Sequence, residues 1–145
     1  MSGEPAGLDP AILEAIQTLC ARGDECAAAA AYESAIAEYN KAWALVPEPK
    51  NDWEASTWIL TAIADACFLA GYMTSARKAL DYVMSCPGAV GNPFLHLRLG
   101  QVLFVGGERE RAADELMRAY MGGGAEIFAN DDPKYLGFLK TRAAI

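Results

Sequence analysis

The sequence holds a single histidine, His96, and four cysteines, Cys20, Cys26, Cys67 and Cys86, in 145 residues. No two of those cysteines stand at the short spacing of a zinc site, and one imidazole cannot make up the missing ligands, so the residues argue against metal. Cys67 falls on a predicted core face and Cys20 near one, which suits small buried hydrophobes in a reducing compartment; a disulfide between two of the four stays open. Long apolar runs are missing too. No stretch approaches the roughly 18 apolar residues of a membrane span. The start, MSGEPAGLDP, has neither the basic nor the apolar region of a signal peptide, which points to the cytoplasm. Positive charge is scarce: 12 Lys and Arg face 19 Asp and Glu, for a net charge of −7. In residues 1–65 eleven acids meet three bases, whereas in residues 66–145 eight meet nine. Nucleic acid would be repelled by the first half and a basic protein steered toward it, although acidity also simply keeps proteins dispersed.

Catalytic partners are lacking as well. His96 sits at a core-type position of its predicted helix, and no second histidine is present to act with it. The glycines at 88, 91, 106, 107 and 122–124 match neither a P-loop nor a dinucleotide fingerprint and read as turns. Asp131-Asp132 lacks the spaced oxygen ligands of a calcium loop and reads as a helix cap, and Glu108-Arg109-Glu110-Arg111 reads as a solvated charged turn. The expectation is a protein that is not an enzyme and holds no cofactor.

What the chain does have is apolar content of 53% with 21% charge, the balance of a folded domain. Its clearest stretch runs from Asn92 to Tyr120. Asn92 is a good helix cap and Pro93 suits the first helical position. Leu95, Leu99, Val102 and Leu103 recur at helical spacing until Gly106-Gly107, after which Ala112, Leu116, Ala119 and Tyr120 form a second stripe. His96-x2-Leu99-Gly100-x2-Leu103, the turn at Gly107 and Ala112-x3-Leu116-x2-Ala119 resemble the tetratricopeptide (TPR) helix-turn-helix pattern. Small residues at Gly100, Ala112 and Ala119 give that likeness a physical basis, because they let two helices approach closely. Shifting back by 36 residues places Leu60, Ile63, Ala64, Cys67, Phe68, Gly71, Ala76 and Leu80 on the same positions, a period near the family's own.

The resemblance implies an all-α helical-repeat solenoid of about three helix-turn-helix units with a C-terminal capping helix. Residues 1–8 read as a frayed terminus and 9–145 as one domain, with repeats at about 9–47, 53–87 and 92–121 and the capping helix at about 132–141. In the first repeat Asp9-Pro10 opens a helix to about Arg22 and Gly23-Asp24 turns the chain. Glu25 to Val46 then contains no breaker and predicts one long second helix. The family pattern fits there twice, as Ala28-x3-Tyr32-x2-Ala35 and as Ala35-x3-Tyr39-x2-Ala42, leaving two extra turns to project. Asn51 or Asp52 caps the next helix, which runs from Trp53 to Ala70, and another spans about Thr74 to Met84. Gly122-Gly123-Gly124 is expected to break the chain. Ala125 to Phe128 reads as one helical turn, and Asp132-Pro133 opens the cap, marked by Tyr135, Leu136 and Leu139.

In the TPR family the first helices of successive repeats line a groove for a partner. Its positions fall on Trp58, Thr61, Asp65, Phe68 and Leu69 in the middle repeat and on Phe94, Leu97, Gln101, Phe104 and Val105 in the third. Uncovered, such an apolar face needs a partner; covered by the first repeat's second helix or by the C-terminal helix, it is core. Arg98 occupies one position of the clamp by which some members hold a carboxylate, but Phe94, Leu13 and Gln17 fill the others, so that activity does not carry over. The resemblance therefore implies a module for protein–protein interaction. More narrowly, the chain looks like the short bacterial TPR proteins that accompany secreted toxins, which implies immunity against a basic toxin domain. The alternatives are a self-associating scaffold and a chaperone for an exported substrate. Neither nucleic acid nor membrane is expected as a partner.

Overall fold

A computed structural model describes residues 7–145, so most of the segment read as a frayed terminus, residues 1–6, lies outside the described residues. Among the described residues all regular structure is helical. The chain divides into two compact units, residues 1–87 and 88–145.

In the first unit, α1 (Pro10–Ala28) starts at Asp9, whose side chain accepts the Ala11 N–H at 2.8 Å. It does not stop at Gly23-Asp24. The chain turns instead at Ala29–Ala31, and α2 spans Tyr32–Ala44, so the expected long second helix with projecting turns does not exist. Gly23 serves proximity rather than reversal: a Cβ there would run into the Tyr39 ring. The Tyr39 hydroxyl reaches past and donates to Asp24 Oδ1 at 2.6 Å. Burial and this bond together push the Tyr39 phenol well above its ordinary range. Of the two overlapping Ala–Tyr–Ala patterns the second is the packed one, with Ala35, Tyr39 and Ala42 buried.

Helices α3 (Glu54–Ala70) and α4 (Met73–Val83) complete the unit. Asn51 and Asp52 do not cap α3 as expected, because they belong to a single 3-10 turn, Lys50–Asp52, and Trp53 holds the cap position without a capping bond from its side chain. That turn is fixed from several sides. Lys50 Nζ donates to the carbonyls of Trp43 at 2.6 Å and Val46 at 3.0 Å, satisfying the open end of α2. Trp53 Nε1 donates to Pro47 O at 3.0 Å, and the Ser56 hydroxyl donates to Lys50 O. Trp43 stands edge-on to Tyr82, ring centroids 5.7 Å apart.

The second unit opens with α5 (Pro93–Val105), where Asn92 Oδ1 accepts the Phe94 and Leu95 N–H groups at 3.0 and 3.3 Å. It continues with α6 (Arg109–Gly123), a 3-10 turn at Ala125–Phe128 and α7 (Lys134–Lys140). Gly122 and Gly123 do not break the chain; they are the last residues of α6, and only Gly124, at φ +68°, ends it. Both are glycine because neighbours press on them. A Cβ would lie 2.6 Å from Pro93 Cγ at Gly122 and 3.0 Å from the Ile127 side chain at Gly123. Asp132 Oδ1 accepts the Lys134 N–H at 2.9 Å, and Tyr135 and Leu139 are buried while Leu136 is half-buried.

All three hairpins share one internal register. Gly23 and Gly100 each press against a large residue sixteen positions later, Tyr39 and Leu116, and the buried pair Ala64 and Leu80 holds the same spacing. Seven positions after each small residue the backbone turns left-handed, at Ala30 (φ +59°), Gly71 (+87°) and Gly107 (+83°). The following N–H closes the helix end each time: Ala31 to Cys26 O at 2.8 Å, Tyr72 to Cys67 O at 2.8 Å, Glu108 to Leu103 O at 2.9 Å. This is the six-to-one bond of a Schellman cap, made three times.

Candidate partner-binding surface

The groups most able to do chemistry are spent on structure. His96 is buried, its Nε2 accepting the Gly91 N–H at 2.8 Å, so its proton sits on Nδ1, 2.6 Å from Glu115 Oε1. The ring thereby ties the loop before α5 to α6. Burial pushes the Cys20, Cys67 and Cys86 thiols up, which keeps them protonated at neutral pH and poor nucleophiles. No group of metal-binding side chains occurs among the described residues, and none of the described helices is long and apolar enough to cross a membrane.

Trp58, Thr61, Asp65 and Leu69 recur at three- and four-residue spacing and so share one face of α3. Trp58 is 48% exposed and Leu69 46%; Thr61, Asp65 and Phe68 are half-buried. Thr61 donates its hydroxyl to Thr57 O at 2.6 Å, a back-bond within the helix rather than an open donor.

No protein-family model matches the chain, and no curated protein does. Among solved structures, the Arabidopsis OM64 TPR domain matches with a TM-score of 0.70 over 91% of this chain and 99% of that one, at 14% sequence identity. The fold is TPR-like. That likeness speaks for the fold alone.

Within the TPR-like register, 36 residues on, Phe94 matches Trp58, Leu97 matches Thr61, Gln101 matches Asp65 and Val105 matches Leu69, and the middle of the α5 face is the more enclosed. Leu97 is 1% exposed, Arg98 7% and Gln101 0%, so these three expected partner contacts are inside the second unit. Arg98 Nη1 donates to Gln101 Oε1 at 2.7 Å and to Asp131 Oδ1 at 2.9 Å, which makes Arg98 a strut for the segment before α7. Phe104 is half-buried against Tyr135 and Phe138, centroids 5.6 and 5.0 Å away, with the Arg109 guanidinium 4.2 Å over its other face. Phe94 is half-buried with Arg98 stacked 4.9 Å from its ring, and Val105 is exposed. The C-terminal segment thus closes much of the α5 face, the second of the two conditions the sequence posed.

Two features escaped the sequence. Tyr72, 42% exposed, donates its hydroxyl to Glu33 Oε1 at 2.6 Å, across a trough between α2 and α4. Glu33 could not be placed there while the first turn was assigned to Gly23-Asp24. The other is the Nε2 of Gln101, a buried amide donor with no partner.

Proposed function

We propose that the protein is a non-catalytic interaction module that binds a partner protein or peptide on the α3 face of its first unit. The observation that carries this is the openness of the α3 face around Trp58. Trp58 is 48% exposed with Thr61 and Asp65 half-buried beside it, whereas their α5 counterparts are more enclosed, Phe94 half-buried and Leu97 and Gln101 buried; at the ends of the two faces Leu69 and Val105 are alike, both about half exposed. Exposed aromatic and aliphatic side chains on one rigid face are what interface anchors are made of. Charge supports a basic partner. Residues 1–87 hold twelve acids and five bases, and residues 88–145 hold seven of each, so the whole net charge of −7 belongs to the first unit. Acidic side chains there would speed encounter, and the apolar anchors would slow release.

Within this reading, immunity against a basic toxin domain is the narrower role we favour, since occlusion by a compact acidic module needs no catalytic group. A scaffold built from copies of the chain and a chaperone for an exported substrate are the competing roles. The test is a pull-down from the source cell with the wild type and a Trp58→Ala plus Leu69→Ala variant, washed at low and high salt. We expect a basic protein that the variant loses and high salt weakens. Recovery of the same partner by both baits would remove the α3 face from consideration, and recovery of only further copies of the chain would replace the reading with self-assembly.

A further inference from the structure

A second surface of the first unit lies on the other side of α3. Ile63 and Cys67 project about opposite to Trp58 and Asp65 on the helical wheel, and they line a hollow of about 450 Å³ together with Ile36, Ala37 and Asn40 of α2 and Ser75 of α4. A second hollow of about 520 Å³ adjoins it, lined by Ala30–Ser34, Leu69 and Ala70. Glu33 and Tyr72 line both, so the bond between their side chains stands where the hollows meet.

Among the described residues Glu33 is the only charged side chain that lines either hollow. Its partner there is a neutral hydroxyl, and both residues are exposed. Hydrogen bonding to Glu33 pushes the Tyr72 phenol up, so it remains a neutral donor at any ordinary pH. That bond is already assisted by the carboxylate's charge, so a cation in place of the hydroxyl adds the Coulomb attraction of an exposed ion pair, up to about fivefold in affinity. Half-buried Ile36 and exposed Ala37 offer an apolar edge for an aliphatic side chain beside that carboxylate, over the buried Ile63 and Cys67 at the floor of the hollow. The surrounding unit, with twelve acids to five bases, favours cationic segments at longer range.

We infer that the α2–α4 trough docks a basic segment of a partner polypeptide, a Lys or Arg side chain replacing the Tyr72 hydroxyl on Glu33 while a neighbouring aliphatic side chain seats against Ile36 and Ala37. The trough shares Leu69 with the α3 face but not Trp58, Thr61 or Asp65, so Trp58 separates the two sites. The trough's recognition element is a cation next to an aliphatic residue, whatever the Trp58 face binds.

The test uses the full chain labelled with nitrogen-15 and a synthetic twelve-residue peptide of alternating leucine and lysine, with the leucine–glutamate peptide as control. Amide shifts on titration with the lysine peptide should centre on Glu33, Ile36, Asn40, Tyr72 and Ser75, and the glutamate peptide should give none. Glu33→Gln preserves a hydrogen bond to Tyr72 on an exposed site and should leave the melting curve unchanged, yet weaken the lysine peptide about fivefold. Trp58→Ala should leave this affinity unchanged, so failure of the trough and failure of the α3 face are read separately. Shifts centred on Trp58 and Asp65, equal response to both peptides, or full affinity in Glu33→Gln would each overturn the inference.

Discussion

At φ +59°, Ala30 holds its methyl group in the left-handed region, where an L-residue gives up about 1–2 kcal/mol. It stays there because the Ala31 N–H must reach Cys26 O to close α1, the same geometry that Gly71 and Gly107 serve without a side chain. Ala30→Gly should therefore stabilise the protein by roughly 0.5–1 kcal/mol, the relief of strain less the extra freedom of glycine in the unfolded chain. Urea unfolding would register this as a higher midpoint with unchanged slope; a lower midpoint would show that the turn is held by something other than its backbone geometry. The same alanine explains why the first hairpin was misread. Glycine is the ordinary signal for such a turn, and here the turn had none while the nearest glycine, Gly23, was occupied in packing against Tyr39.

Among the helices, legibility followed the placement of glycine. Both helices of the second and third hairpins were readable to within a residue or two because Gly71 and Gly107 stand at their turns. The end of α6 was misplaced because Gly122 and Gly123 look like breakers but are contact points. Intrinsic propensity would favour alanine over glycine in that last turn by about 1 kcal/mol. Contact decides the other way: Gly122→Ala would press on Pro93 and cost roughly 1–3 kcal/mol. We expect a net loss of thermal stability, and a rise in melting temperature would show that the start of α5 can yield. On α3 and α5 the spacing of groove positions was legible, but which of them stay open was not. Exposure of Trp58 and burial of Gln101 depend on what packs over each helix, and periodicity records only the helix's own faces.

For the molecule as a whole, the second unit depends on a strut that is charged and nearly dry. Arg98 and Asp131, with side chains 8% and 14% exposed, join α5 to the segment ahead of α7. Removing Asp131 takes the carboxylate from a nearly buried guanidinium that keeps its bond to Gln101, so Asp131→Ala should cost roughly 2–3 kcal/mol, less than for a fully buried pair. Limited proteolysis should then cut between residues 124 and 133 sooner than in the wild type, with the first unit's fragments unchanged. Equal cleavage in both proteins would assign the hold on that segment to Phe104 and its aromatic partners instead.

The pairing of a small residue with a large one sixteen positions on, as Gly23 with Tyr39, Ala64 with Leu80 and Gly100 with Leu116, also bears on how such a chain can change over generations. Both members of each pair lie within one hairpin, so a duplication that copies a hairpin copies a matched set of volumes with it. A single substitution, by contrast, meets an unmatched partner. Growth by whole hairpins is thus permitted where piecemeal drift at these positions is penalised.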